Sequence, residues 1–501
     1  MKAPRQKLWR RILLGLALGF LLVVALVARP IFHLAQTIWN DRDEIATLVR
    51  TGGANDASRL NESRVRETWN IPADQQAAEL QLVELLQWAR TNHLKVSIAG
   101  ARHSMGAHTI AEDGIVVDML PFKHMELEAG GRLLRVQSGA RWHDVIRFLN
   151  AQGLSVEIMQ SNDDFSVGGS ISVNCHGWQF DRPPIASSVE SFRLMKADGS
   201  VVQCSRAENQ ELFSLVLGGY GLFGIILDVE LRVVPNERYL TERISVATEN
   251  YAAIFAEKTS GATNIGMVYG RLRVTPDEFL SQGVINILRR KPGNDSLVTP
   301  FATAKAATLK RAIFRGSVGS DYGKQLRWNA EKYFGPWLSG DEFDRNTLLS
   351  DSAKWFQNRR TNSTDILMEC FVPPAQFEPF LGELRRIIPQ NHADLLNLTV
   401  RHVKRDDDSF LRYADREMFA LVMLFNQTCD ATGEAQMRTV AQEIIAATLK
   451  RGGNYYLPYR LHATVEQFRQ DYPQAKQFFE AKRKYDPAEL FENGFYRTYG
   501  K

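Results

Sequence analysis

The period of apolar and polar positions changes several times along this chain, and each change predicts an element. An uncharged apolar run covers 12–28, with Lys2, Arg5, Lys7, Arg10 and Arg11 ahead of it and Arg29-Pro30 behind. At about 1.5 Å per helical residue the run reaches roughly 26 Å, enough to cross a hydrocarbon layer of roughly 30 Å if Trp9 and Arg29 snorkel. The charge bias predicts a cytoplasmic N-terminus with the body on the far side. Leu26-Val27-Ala28 is a poor small-residue cleavage site, so a retained anchor is expected rather than a cleaved signal. Arg10-Arg11 weakly resembles a twin-arginine export signal.

From Trp39 to Glu79 the texture is polar and mixed, and residues 31–75 read as a connector with a short helix. Apolar positions then recur at helical spacing over 79–89 and run into a strand at 94–98. Further short strands are expected at 115–119 and 132–137, the latter turning through Gly139-Ala140-Arg141-Trp142 into a helix over 143–152. The span 188–204 alternates around an Asp198-Gly199 hairpin turn, and 228–234 alternates up to Pro235. From Arg238 the pattern shifts. Strands are predicted at 244–247 and 266–274, and helices at 301–315 and 347–359. The helix at 301–315 is basic and amphipathic, a solvated helix or one lying on a membrane surface. A strand–helix–strand order follows over 364–372, 376–388, 395–403 and 419–426. These changes divide the chain into an anchor (1–30), the connector (31–75), a first globular unit (76–237), a second (238–455) and a C-terminal segment (456–501). Strands alternating with helices indicate mixed α/β content.

Glycine placement adds chemistry. Gly100-Ala101-Arg102-His103-Ser104-Met105-Gly106 follows directly on a strand. Such a turn lets backbone approach a ligand and forms a nest for an anion, with phosphate the first ligand to consider. Gly168-Gly169 opens a second element, whose polar members Ser170, Ser172 and Asn174 alternate as if lining a groove for a polar ligand. Gly218, Gly219, Gly221 and Gly224 form a third. Three clusters bordering strands suggest one extended ligand held largely by backbone.

Charge then narrows the classes. Without the five leading positives the formal charge of +4 falls by five to −1, so the basicity belongs to the anchor and nucleic-acid binding is not indicated. Cys175, Cys204, Cys370 and Cys429 form no C-x-x-C pair and no evident disulfide framework, leaving at most one bridge open.

The motifs together resemble the vanillyl-alcohol oxidase or p-cresol methylhydroxylase family of FAD-linked oxidoreductases, from about Gln76 to the C-terminus. The resemblance implies an α+β fold: a two-subdomain FAD-binding domain of the p-cresol methylhydroxylase type, with a substrate-capping domain added to the N-terminal transmembrane helix. It assigns FAD contacts to Gly100, Ala101, Arg102, His103, Ser104 and Gly106, then to Ser166, Val167, Gly168, Gly169, Ser172, His176 and Gly177, and to Gly221, Gly224, Ile225 and Ile226. His103 falls where family members join the flavin covalently. Asp164 falls where two-link members carry cysteine, so a second link is not implied. Lys484-Tyr485-Asp486-Pro487 and Leu490-Phe491 match the tail that returns to the FAD domain.

The second half looks most like the alditol oxidase and sugar-lactone oxidase branch. Met368-Glu369-Cys370-Phe371-Val372-Pro373 resembles its glutamate–aromatic–Val-Pro strand, and Arg401 falls where its flavin-facing arginine lies. Thr399 replaces a glutamate there, and Pro458-Tyr459-Arg460-Leu461-His462 replaces a Pro-His-Trp-Gly-Lys motif. The resemblance therefore implies Arg401 as the charge that balances the reduced ring, His462 as the base and Arg460 nearby, with His176 as a structural hydrogen-bond donor. The activity implied is hydride removal from a CH–OH substrate, with oxygen or a quinone-type acceptor. A lipid- or sterol-directed reductase or dehydrogenase is the alternative, and a membrane-tethered binding module without turnover is the alternative from another class.

Overall fold

A computed structural model describes residues 3–42, 52–293, 298, 300, 307–334 and 340–501. Its first sheet is small and parallel, with Ile115–Asp118 between Glu67–Asn70 and Val96–Ala99. The crossover between the outer strands is the helix Gln75–Thr91. Asp74 caps that helix by accepting from the Ala77 N–H at 2.8 Å, and Ala78, Leu82, Leu85, Leu86 and Ala89 are buried along one stripe. The second sheet is antiparallel and runs Val201–Ser205, Val189–Met195, Ile225–Pro235, Leu133–Gln137, Met125–Leu127. Its hairpin turns at Asp198-Gly199, where Gly199 has φ +86°.

The third sheet has eight antiparallel strands, ordered Glu342–Asp344, Arg238–Ala247, Gln282–Arg290, Ile265–Leu272, Asp394–Val403, Met418–Thr428, Ser363–Val372, Asn454–Tyr455. Two helices, Phe377–Gln390 and Ala431–Lys450, pack on each other beside it. Helix 377–390 buries Phe377, Phe380, Leu381, Leu384, Ile387 and Ile388, the spacing of one apolar stripe. Strand alternation decides what the sheet's other face presents. Leu398 and Val400 enter the core, whereas Asn397, Thr399 and Arg401 line a cavity.

The C-terminal segment returns to the first sheet as the tail motif implies. Val96 N–H donates to Leu490 O at 2.8 Å, and Glu492 N–H donates to Val96 O at 3.0 Å. Gly494 sits so close to the loop after the strand that a Cβ there would lie 2.4 Å from Gly106 O.

Several expectations are corrected. Among the described residues no helix is long and apolar enough to cross a membrane. The helix Ala3–Asn40 runs through 12–28, but the side chains of 10, 11, 18 and 20–26 fall outside the description. The expected span is thus without support in the structure. The same helix continues past Pro30 and packs on the second unit: Arg29 lies 3.9 Å over the Tyr322 ring, and His33 Nε2 is 2.9 Å from Gly316 O. Residues 31–40 are therefore helix and not connector, and 67–70 are a strand of the first sheet.

The stretch 167–172 is a short helix rather than a strand. Residues 301–306 of the expected basic helix lie outside the described residues, and 307–315 is not solvated as expected. Arg311 pairs with Asp41 and Arg315 with Asp365, with guanidinium side chains 9% and 4% exposed. Of the helix expected at 347–359, only a turn at Arg345–Leu349 and a 3₁₀ turn at Ala353–Trp355 form. The strand Gln282–Arg290 and the helix Ala431–Lys450 were not among the expected elements. The four cysteines are unbridged.

Candidate active site

The strand Val96–Ala99 delivers its loop against the short helix 167–172. A Cβ on Gly100 would lie 2.0 Å from Ser166 Oγ, so glycine alone permits this approach. Ala101 N–H donates to that hydroxyl at 3.3 Å. Arg102 takes φ +56° and its guanidinium reaches Asp118 at 3.2 Å. The His103 ring stacks on Phe165 with centroids 4.1 Å apart. Residues read as connector brace this loop from behind. Asp56 accepts from Ala107 N–H at 2.8 Å, and the Asn61 amide donates to Met105 O at 2.9 Å.

These groups line a cavity of about 1340 Å³. Pockets for one small molecule run to roughly 1,000 Å³, so this one has room for an elongated ligand together with a second molecule. Of the predicted cofactor contacts, Gly100, Ala101, Arg102, His103, Ser104, Ser166, Gly168, Gly169, Ser172, His176, Gly221, Gly224 and Ile226 line it. Gly106, Val167, Gly177 and Ile225 do not. Val167 and Ile225 are core residues, and Gly106 and Gly177 let backbone pack, their notional Cβ atoms lying 2.6 Å from Tyr459 O and 2.0 Å from Met159 O. Ser170 reaches the lining but spends its hydroxyl on Trp142 and Gln160, at 2.8 and 2.7 Å. Asn174 turns away to Asp406, at 2.8 Å. The polar row is thus mostly internal bracing.

The residues fit FAD. Ser104 Oγ, Thr109 Oγ1 and Ser138 Oγ line the cavity, are buried, and have no hydrogen-bond partner among the described residues. Buried hydroxyls without a partner are uncommon in folded proteins, and a phosphate or ribose would satisfy them. Gly168 lies against Ser138, where a Cβ would come within 2.7 Å. Gly221 and Gly224 have φ +72° and +152°.

Across the cavity the cap sheet contributes a polar centre. Glu369 and His176 are both buried, with His176 Nε2 2.6 Å from Glu369 Oε1 but out of line for a well-formed hydrogen bond. Tyr459 donates its hydroxyl to Glu369 Oε2 at 3.2 Å. Arg401 donates to His176 O at 3.1 Å and Ser161 Oγ at 2.9 Å, and its buried Nε has no partner among the described residues. Burial pushes the His176 pKa down, Glu369 beside it pulls it back up in part, and the Arg401 charge lowers it further. Burial would raise Glu369, but His176, Arg401 and Tyr459 outweigh it and hold the carboxyl below its usual range. Burial, then Glu369, push Tyr459 well above the usual phenol range. The centre is therefore a carboxylate flanked by an imidazole, a protonated phenol and a guanidinium.

The other two residues implied as catalytic lie elsewhere. Arg460 and His462 are outside the cavity lining and converge on Glu434, with His462 Nε2 2.9 Å from Oε1. Arg460 also donates to Asn61 Oδ1 at 2.6 Å, tying helix 431–450 to the loop support. Burial opposes ionisation of Glu434, yet His462 and Arg460 bring its pKa down to about 2. A depressed carboxyl stabilises the fold above its unfolded value and loses that contribution as pH falls through the folded one. Glu434→Gln is expected to lower stability at pH 7 by about 3 kcal/mol, with the gap closing as pH drops from about 4.5 towards 2. Urea unfolding at pH 7 and pH 3 measures it, and an equal gap at both would contradict the pairing.

Residues 76–205 match a family described as an FAD binding domain. An uncharacterized oxidoreductase of the fasciation locus of Rhodococcoides fascians is 24% identical over 51% of this chain and 60% of its own length. Cytokinin dehydrogenase 2 of Oryza sativa subsp. japonica is 28% identical over 41% of this chain and 39% of its own. L-gulonolactone oxidase of Mus musculus is 29% identical over 30% of this chain and 34% of its own. The chain thus spans between about a third and three fifths of the length of these relatives. A glycine-lined cavity with this matched domain defines a flavoprotein of the p-cresol methylhydroxylase type. Residues 76–205 are an FAD-binding domain, the chain is similar to FAD-linked oxidoreductases, and FAD is its cofactor.

Proposed function

We propose that the protein is a membrane-anchored FAD-dependent oxidoreductase that removes hydride from the CH–OH carbon of a sugar-, polyol- or lactone-like substrate. The observation that carries this reading is Glu369, a buried carboxylate that keeps its charge in the same cavity as the FAD-holding loops. When bound, FAD takes up the hydride and passes the electrons on, to oxygen or a quinone-type acceptor. Glu369 accepts the hydroxyl proton as the C–O bond becomes a carbonyl. Tyr459 fixes one carboxylate oxygen by its hydrogen bond, His176 lies against the other, and Arg401 stabilises the negative charge that develops on the substrate oxygen. His462, distant from this centre, is replaced as base by Glu369.

The run 12–28 is the anchor, and the basic residues ahead of it keep the N-terminus cytoplasmic with the body periplasmic or otherwise extracytoplasmic. A lipid- or sterol-directed reaction is the second reading, favoured by Leu367, Val422 and Leu424, an apolar strip on the same sheet face. Anaerobic mixing with alcohols, aldoses, lactones and prenyl alcohols tests both. Bleaching of the flavin by a polyol or lactone supports the first, bleaching by a prenyl alcohol the second. Reduction by a cytokinin instead would overturn both, and a flavin that no compound reduces marks an inert binding module.

His103 is the covalent tether in this reading. The flavin is expected to stay with the acid-precipitated protein and to be released from His103→Ala. Colour in the wild-type supernatant would reject the link.

A further inference from the structure

The cavity carries a second feature that the oxidation centre does not use. Arg271, on strand 265–272, donates to Asn397 Oδ1 at 3.0 Å, and Arg327, on helix 321–329, donates to the same oxygen at 2.8 Å. The Asn397 amide is held the right way round for this, since its Nδ2 donates to Thr399 Oγ1 at 3.0 Å. Arg271 also donates to Thr399 Oγ1 and Arg327 to Leu396 O at 2.8 Å, so two guanidinium groups meet over Asn397 Oδ1 with only neutral acceptors around it. Both line the cavity, and Lys310 lines it with them. Arg327 also contacts Glu331 at 3.1 Å, a side chain 39% exposed, whereas Arg271 makes no ion pair among the described residues. Asp351 is the other acid in the lining near Arg271 and Lys310. Three cations thus face two acids, and only one cation–acid pair is in direct contact.

We infer that the end of the cavity lined by Arg271, Arg327 and Lys310 binds an oxyanion of the substrate, a carboxylate or phosphate remote from the carbon that is oxidised. The inference rests on the reading of Glu369 as the oxidation centre. Guanidinium groups are donors only and match the paired oxygens of a carboxylate or phosphate. A neutral sugar hydroxyl would need acceptors as well, and the neutral acceptors here, Asn397 Oδ1, Thr399 Oγ1 and Leu396 O, already receive guanidinium donors. Burial lowers the Arg327 pKa, Glu331 raises it in part and the Arg271 charge lowers it further, so Glu331 alone does not offset the two guanidinium groups.

Strand register gives the length of the substrate. Arg271 lies opposite Thr399, Thr399 opposite Val422, and Val422 opposite Glu369. Three strand spacings separate the backbone of Arg271 from that of Glu369, roughly 14 Å, and the Arg271 side chain crosses one of them to reach Thr399 Oγ1, leaving roughly 10 Å. A lone aldose or lactone ring is too short to touch both ends. The substrate is therefore an extended one, with its alcohol at Glu369 and its acid group at the arginines.

The test uses the FAD-loaded full chain, so that the cofactor's own phosphates occupy their loops. Inorganic phosphate, and separately glutarate, are titrated against chloride at equal ionic strength while the unfolding temperature is followed. A saturable rise in the wild type is expected, with half-saturation at least tenfold weaker in Arg327→Gln. If that variant fails to hold FAD, Arg271→Gln decides by the same titration. A rise with phosphate alone assigns a phosphoryl group, and a rise with glutarate alone a carboxylate. No rise, or an equal rise in the variants, overturns the anion site. Outcomes also separate the two proposals: a neutral alcohol that bleaches the flavin with no anion effect leaves the oxidation centre standing, and an anion effect without bleaching by any alcohol leaves only the anion site.

Discussion

Glu369→Gln is expected to slow substrate-driven flavin reduction by roughly 10²–10⁴-fold, the usual range for loss of a positioned base, with FAD still bound. The amide keeps the shape of the carboxyl and the hydrogen bond from Tyr459, so packing against His176 and Phe371 is preserved. What is lost is the proton acceptor, and with it the negative charge that Arg401 faces. The pH dependence follows from the direction of the shift. A carboxyl held below its usual range is ionised throughout neutral and mildly acid pH, so the wild-type rate should persist from pH 8 to pH 5 and decline only below the ordinary carboxylate range. Stopped-flow absorbance under anaerobic conditions measures both. A Gln variant reduced at the wild-type rate would remove Glu369 from the mechanism, and one that loses FAD would make it a structural residue.

The second large effect lies in the tail. Lys482 and Asp486 are both buried, 0% and 1% exposed, and pair within one helical turn. Asp486 also accepts the backbone N–H groups of Leu490 and Phe491, at 2.9 and 2.8 Å, and so turns the chain onto the strand 96–99. Removing one partner of a buried pair leaves the other charge unbalanced and costs about 3–5 kcal/mol. Asp486→Ala should destabilise by that amount and weaken FAD retention, because the strand that delivers the Gly100 loop loses its neighbour. Lys482→Met should be milder, since Asp486 keeps two N–H donors. Calorimetry and flavin content of the purified variants check the order, and an Asp486→Ala protein as stable as the wild type would contradict it.

What the sequence disclosed followed from where physics leaves one choice. Gly100, Gly168 and Gly221 were legible as ligand loops because no side chain fits there or because φ is positive. Arg401 lies in the cavity, on the strand that the alternation of 395–403 predicted. The polar row 170–174 misled because a serine that braces a tryptophan looks the same in sequence as one that faces a ligand. His462 and Arg460 misled for a related reason: their partner Glu434 opens a helix that the reading passed over, although Asp430 and Gly433 mark its N-terminus. Glu369 stood in a noted strand motif, but its partner His176 and the arginines 271 and 327 belong to other elements. Sequence spacing carries no signal for such meetings.

The tail contact also fixes an order of events in the making of the protein. Lys95 Nζ bonds Glu489 O at 2.7 Å across 394 residues of chain. At roughly 5–20 residues per second, the ribosome needs about 20–80 s to travel that distance. Until then the strand that launches the flavin loop is paired on one edge only, by Ile115–Asp118. Nascent chains are therefore expected to capture FAD only once residues 489–492 have emerged, and truncation before residue 489 should yield apoprotein however much flavin is supplied.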